Sequence, residues 1–369
     1  MADFVLAAMQ PYFSQKFYNP SSPYAPAVEV RREYETAKGK IAASFGARAD
    51  DCIITAGATE SINLAFGHVT RHVVTSIVEH PAVLEAAKRH DHTLIEVDDK
   101  ARVAPEAITT ALQPDTELVS IVLANNELGT IQPLRKIAAI IEAERQARRE
   151  QGNPTPLLFH ADGSQGFGQI DVHVARLGVD MLTLNAGKMY GPKQVGVLWT
   201  RHAATLKPLI VGGGQEFGVR SGTENVAGVA GFAAAITHAV AKQPAENKRL
   251  SALRDHLEKR LLRAFPEAKI LGDPKHRLPG HLAIAFGGID AERIIFMLEP
   301  HILIASGSAC SANKHTASHV LRAIKLDDDF LQGNLRLTLG RTTTEPQVNR
   351  AADAIINALS SEYARMKNK

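Results

Sequence analysis

A chain of 369 residues, 45% hydrophobic and 22% charged, has the balance of a globular protein long enough for two domains with their own cores. Its 42 Lys and Arg against 39 Asp and Glu leave a net charge of +3 with no basic block, which favours small-molecule chemistry over direct nucleic-acid binding. No apolar run approaches the roughly 20 residues of a membrane span, the N-terminus lacks the basic and apolar regions of a secretory signal, and a cytoplasmic location is expected.

Residues from about 27 to 45 read as a helix and lead to a strand at Cys52-Ile53-Ile54-Thr55. Gly57-Ala58-Thr59 then opens a helix carrying Ile62, Leu64, Ala65 and Phe66. A strand that runs through a glycine turn into a helix N-terminus is an anion site, because the first amides are unpaired and the helix dipole favours negative charge. Thr59 fits an N-cap equally well. The strand Val73 to Val78 ends on Glu79-His80, and Pro81 starts the next helix. In a parallel sheet His80 would face the crevice where ligands collect, at the carboxyl ends of strands.

The strand Leu118 to Leu123 ends on Asn125-Asn126-Glu127. Leu134, Ile137, Ala138 and Ile141 mark an amphipathic helix, whose charged end from Glu142 to Gly152 reads as a solvated extension. Leu157 to Ala161 is a strand ending on Asp162, with Gln165 one turn further on. Met181 to Leu184 leads into Asn185-Ala186-Gly187-Lys188, and Gly191-Pro192 leads into the strand Val195 to Trp199. Lys188 therefore sits on a tight connection, placed to project into a pocket rather than into solvent. A glycine-rich loop from Gly212 to Thr223 follows. A domain boundary near Lys242-Gln243-Pro244 precedes a helix with Leu250, Leu253, Leu257 and Leu261 on one face. Strands at Leu282 to Phe286, Ile302 to Ile304 and Leu335 to Leu339 follow, and Thr344 to Gln347 has the spacing of a capping box before a last helix. Repeated strand-then-helix punctuation predicts an α/β fold with a mostly parallel sheet covered on both faces.

An acid at a strand end and a lysine on a neighbouring loop suit pyridoxal phosphate, which needs an amine for a Schiff base and an anion to keep its ring nitrogen protonated. Asp162 and Lys188 also fit a partly exposed ion pair, and spacing alone leaves both readings open. The two cysteines form neither a metal-ligand pattern nor a disulfide framework, and the chain has neither a GxxxxGK[ST] nor an HExxH motif. Cys310 lies in a run of small residues, Ala305 to Asn313, with no large apolar anchor, as expected of a reactive thiol on a mobile loop. Cys52, beside Ile53 and Ile54, reads as a buried hydrophobe.

The run from His160 to Trp199, with Ala161-Asp162-Gly163-Ser164-Gln165 and Lys188-Met189-Tyr190-Gly191-Pro192-Lys193, resembles the cofactor core of the cysteine desulfurases of the class V aminotransferase fold. The likeness extends through Gly57-Ala58-Thr59-Glu60-Ser61, Glu79-His80, Asn125-Asn126-Glu127, Arg220-Ser221-Gly222-Thr223, Ser306-Gly307-Ser308-Ala309-Cys310 and Arg336-Leu337-Thr338. It implies a fold type I transferase with a large cofactor domain over 12–243 and a small domain from 1–11 and 244–369. Lys188 would hold pyridoxal 5'-phosphate, with Asp162 on the ring nitrogen, Gln165 on the phenolic oxygen, and His80 stacked on the ring and moving protons. Ala58, Thr59 and Asn185 would surround the phosphate, joined by Thr223 from the partner of a homodimer. Arg336, assisted by Asn126 and Arg220, would clamp the substrate carboxylate. Asn126 would also touch the cofactor.

By the same resemblance, to the longer-loop class, L-cysteine becomes L-alanine while Cys310 takes the sulfur as a persulfide. That sulfur would go to an acceptor protein for iron–sulfur cluster assembly or tRNA thiolation. Two departures stand out. The family's short N-terminal strand does not precede Val5, so either the start is placed late or the protein does without it, and Gly187 replaces a histidine that contacts phosphate, which predicts weaker cofactor retention. The rival readings are a selenocysteine lyase or another β-eliminating enzyme of the fold, and a sulfur carrier or scaffold without catalysis.

Overall fold

The computed structural model describes residues 1–201, 206–306 and 318–368. The chain divides into two compact units, a larger one of Met1–Ile95, Pro105–Leu123 and Pro133–Gln243, and a smaller one of Glu96–Ala104, Ala124–Gln132 and Pro244–Lys369. Residues 1–11, expected with the smaller domain, lie in the larger unit. The reason is packing: the helix Asp3–Met9 buries Val5 and Met9, and the Met9 side chain occupies the space that a Cβ on Gly231 would need. The Ala2 amide also donates to the Tyr190 carbonyl at 3.1 Å.

The larger unit is built on seven strands: β1 (Cys52–Thr55), β2 (His72–Ser76), β3 (His92–Ile95), β4 (Thr116–Val122), β5 (Leu158–Asp162), β6 (Met181–Asn185) and β7 (Gly196–Thr200). Their order across the sheet is β1-β7-β6-β5-β4-β2-β3. β3, β2, β4, β5 and β6 pair in parallel, and β7 runs antiparallel to both of its neighbours. Every residue of β1, β2 and β7 is buried, the pattern of a sheet covered on both faces. The helix Ala58–Gly67 packs Leu64 and Ala65 with Ile53, Met181 and Leu198, and Ile62 and Phe66 with Val73 and Leu118.

The charged end of the helix Leu134–Glu150 is more than a solvated extension. Arg148 is 3% exposed, and its guanidinium donates to the carbonyls of Thr116 and Gln113, each at 2.8 Å, and to Glu144. An arginine can be buried there because its donors meet ready acceptors at the turn before β4.

The smaller unit holds an antiparallel sheet of β8 (Lys269–Leu271), β9 (His281–Ala285), β10 (Ala305–Ser306) and β11 (Asn334–Thr338), ordered β10-β11-β9-β8. The strand expected at Ile302 to Ile304 does not form. Ile302 and Ile304 pack onto the apolar core while Leu303 between them is exposed, and backbone pairing begins only at Ala305, opposite Arg336. Leu282, Ile284, Leu335 and Leu337 meet Leu253, Leu257 and Leu261 from the helix Val226–Ala264 and Val348, Ile355 and Leu359 from the helix Glu345–Lys367. The capping box at Thr344 and Gln347 is formed. The boundary expected at Lys242-Gln243-Pro244 coincides with the division of the units between Gln243 and Pro244, but the helix expected after it already starts at Val226 and continues past Pro244, although proline lacks the amide for an i to i−4 bond. Among the described residues no helix is long and apolar enough to cross a membrane.

His160, on the central strand β5, is fully buried and links its neighbours, with Nδ1 2.8 Å from Ser120 Oγ and Nε2 2.9 Å from Thr183 Oγ1. Burial pushes its imidazole down to about 3. The unfolded chain takes up a proton at about pH 6.5 that the folded chain refuses, so the stability from this residue is complete above that pH and declines as pH falls below it. Denaturant titrations across that range should show the decline, and His160→Gln should make it shallower.

Candidate active site

The glycine turn after β1 creates an open amide-lined site. Gly57 is the N-cap of the helix Ala58–Gly67 at φ 143°, a left-handed extended conformation suited to glycine, and a Cβ there would meet nothing within 4 Å. Gly196 on β7 makes the turn possible, because a Cβ on it would lie 2.7 Å from the Gly57 Cα. The cap is thus Gly57, and the alternative of Thr59 as N-cap is set aside. Thr59 lies in the first turn, exposed, beside Ala58. Asn185, at the end of β6, accepts from the Gly187 amide through Oδ1 at 3.0 Å, which leaves its NH2 group as a donor. These groups form a donor set for a phosphate.

Three candidate residues share the carboxyl edge of the parallel strands. His80 follows β2, Asp162 closes β5, and Lys188 lies on the 3-10 turn Ala186–Met189 after β6. Asp162 is 5% exposed and accepts from the Ser164 amide at 2.9 Å, while the buried Ser164 Oγ has no hydrogen-bond partner among the described residues. Gln165 is half-buried one turn on. His80 is itself an N-cap: its Nδ1 accepts from the Ala82 amide at 3.1 Å, so a neutral ring carries its proton on Nε2. Lys188 is exposed in the single chain, contrary to the expectation that it avoids solvent. The turn that carries it ends on Tyr190 at φ 63° and leaves the side chain uncovered.

The loop leading to Thr223 is anchored from within. Glu216 is buried and accepts from Lys38 Nζ at 2.8 Å, from the Ile54 amide at 2.9 Å and from the Tyr34 hydroxyl. Glu216 and Phe217 both have positive φ, 47° and 61°, strain of about 1–2 kcal/mol each that the buried contacts offset. Arg220 donates through Nε to Glu60 at 3.0 Å. Thr223 is exposed.

In the smaller unit Arg336 lies on β11, an inner strand between β10 and β9, which removes the alternative of a surface arginine on an edge strand. Its Nη1 donates to the Asn126 carbonyl at 3.3 Å. Glu127 is buried, accepts from Ser318 Oγ at 2.6 Å, and is pushed up to about 7 by burial. Cys52 is fully buried, its thiol pushed up to about 12 by burial, as an inert thiol should be. Cys310 lies outside the described residues. The sequence reading missed the buried carboxyls of Glu79, Glu127 and Glu216. The weak signal for Glu79 is an acid directly after the mostly apolar run Val73 to Val78.

The Aminotransferase class-V family profile matches residues 2–350. Cysteine desulfurase IscS of Dictyoglomus turgidum is 37% identical over 95% of this chain and 90% of its own length, and Cysteine desulfurase IscS 1 of Archaeoglobus fulgidus is 38% identical over 95% and 92%. A solved structure described as a NifS-like protein superposes with a TM-score of 0.87 at 32% identity, covering 98% of this chain and 96% of its own. A structure described as SspA in complex with cysteine gives 0.77 at 30% identity, over 92% and 95%. The chain belongs to the class-V aminotransferase family. Within it, the chain falls among the cysteine desulfurases, enzymes that depend on pyridoxal 5'-phosphate.

The residues present fit that cofactor: an uncovered amine at Lys188, a buried carboxylate at Asp162, and amide donors around open space at Gly57. Gly187 is exposed, and a Cβ there would meet Asn185 Oδ1 at an ordinary 3.4 Å. Gly187→His should therefore be tolerated and should tighten cofactor retention by about 1 kcal/mol, roughly fivefold, in dilution measurements.

Proposed function

We propose that this protein converts L-cysteine to L-alanine, takes the sulfur as a persulfide on Cys310 and passes it to an acceptor protein for iron–sulfur assembly or tRNA thiolation. The observation that carries the reading is the shared strand edge of His80, Asp162 and Lys188. In this reading Lys188 supplies the amine that holds pyridoxal 5'-phosphate, and Asp162 keeps a proton on its ring nitrogen. Thr59, Asn185 and the amides after Gly57 bind its phosphate, and Gln165 meets its phenolic oxygen.

When bound, the cofactor supplies an electron sink for charge that develops at the substrate α-carbon. Arg336 pairs with the substrate carboxylate through its planar fork, in company with Asn126. His80 stacks on the ring and moves protons. Arg220 supports the helix that presents the phosphate donors, through Glu60. The thiolate of Cys310 attacks the substrate sulfur: the new S–S bond forms as the C–S bond breaks, and the electron pair stays with the carbon skeleton, which takes up protons and leaves as L-alanine. A homodimer, with Thr223 reaching the partner's phosphate, is part of the proposal. The exposed position of Thr223, on a loop anchored through Glu216, supports it.

Alanine and sulfide should be released in equal amounts from L-cysteine with added cofactor and a thiol reductant, and both should disappear in Lys188→Ala and Cys310→Ala. Faster turnover of selenocysteine, unaffected by Cys310→Ala, would shift the reading to a lyase. Persulfide on Cys310 without turnover would shift it to a sulfur carrier.

A further inference from the structure

Glu79 sits between β2 and Asp162 and has no part in the activity described above. Its side chain is 1% exposed. Oε1 accepts from Ser76 Oγ at 2.7 Å, at the last residue of β2, and from the Val122 amide at 3.0 Å, at the last residue of β4. The backbone ladder between these strands has its last register pair at Thr75 and Ser120, so beyond it the chain of β2 turns away. The Glu79 carboxyl takes the place of the missing backbone acceptor. On the other side of β4, Val122 is the register partner of Asp162, and the next amide, Leu123, donates to the Asp162 carbonyl at 2.9 Å. Consecutive amides at the end of β4 are thus bound by Glu79 on one side and by Asp162 on the other.

We propose that Glu79 is a positioning residue, whose carboxyl ties the ends of β2 and β4 together and so fixes where Asp162 and His80 stand relative to each other. The inference rests on the desulfurase reading for the roles of those two residues. Burial first, and the nearby Asp162 charge as a smaller contribution, push Glu79 up to about 8, against the lowering effect of Ser76 and Val122. Near neutral pH Glu79 is therefore mostly an uncharged acid. Two adjacent buried carboxylates would otherwise repel, and the proton would be shared between them. An uncharged Glu79 leaves the ring nitrogen a single, defined counterion.

Glutamine is the test because it keeps the acceptor oxygen and lacks the ionisation. In the holoenzyme at neutral pH, Glu79→Gln should retain cofactor on dilution as the unaltered protein does, whereas Glu79→Ala should retain it roughly tenfold less well. Difference infrared spectra, unaltered protein minus Glu79→Gln at neutral pH, should show a carboxylic-acid C=O band that fades as the pH rises through about 8. Equal loss of cofactor in both variants would mean that a charged Glu79 is required, and would overturn the proposal. Unchanged retention in Glu79→Ala, or no such band, would overturn it as well. Failure of the unaltered protein to take up cofactor would strike the desulfurase reading alone, since the infrared band still decides the state of Glu79.

Discussion

Parallel pairing is the constraint on which the site depends. Because β2, β4, β5 and β6 run the same way, their carboxyl ends lie along one edge, and residues far apart in sequence arrive together without a dedicated scaffold. The register is what gives this its value. Asp162 pairs with Val122 on one side and Thr183 on the other, and a slip of one residue would turn its side chain to the opposite face. His160, two residues earlier on β5, bonds a hydroxyl on each neighbouring strand and works against such a slip.

Low polarity at that edge decides the charge states. The same burial that pushes the His160 imidazole down keeps Glu79 largely protonated, although each has hydrogen-bond partners. Asp162, at the end of β5, accepts from the Ser164 amide.

Much of this was legible in the sequence. Apolar runs ending on His80, Asp162 and Asn185 gave the strands and their functional ends, and the glycine turn before Thr59 gave the open helix terminus. What the sequence hid was tertiary. The ladder signal at Ile302 to Ile304 was hydrophobic packing without pairing, and a proline at 244 looked like a break yet lies within a helix. Long-range partners such as Lys38 with Glu216 and Ser318 with Glu127 leave no local pattern, because each side chain is ordinary in its own segment. The exposure of Lys188 depends on how the 3-10 turn ends, a matter of one backbone angle at Tyr190.

The anchoring of Glu216 bears on how fast and how tightly two copies could associate. A glycine-rich loop left free would lose conformational freedom on docking, at a cost of about 0.5–1.5 kcal/mol for each side chain immobilised. Here Lys38, Tyr34 and the Ile54 amide hold Glu216 before any second chain arrives, and Lys38 also lies 4.7 Å from the centre of the Phe217 ring. Encounter between copies would then be closer to the meeting of two rigid surfaces than to a folding event, and its rate would be set by orientation and not by a search among loop conformations.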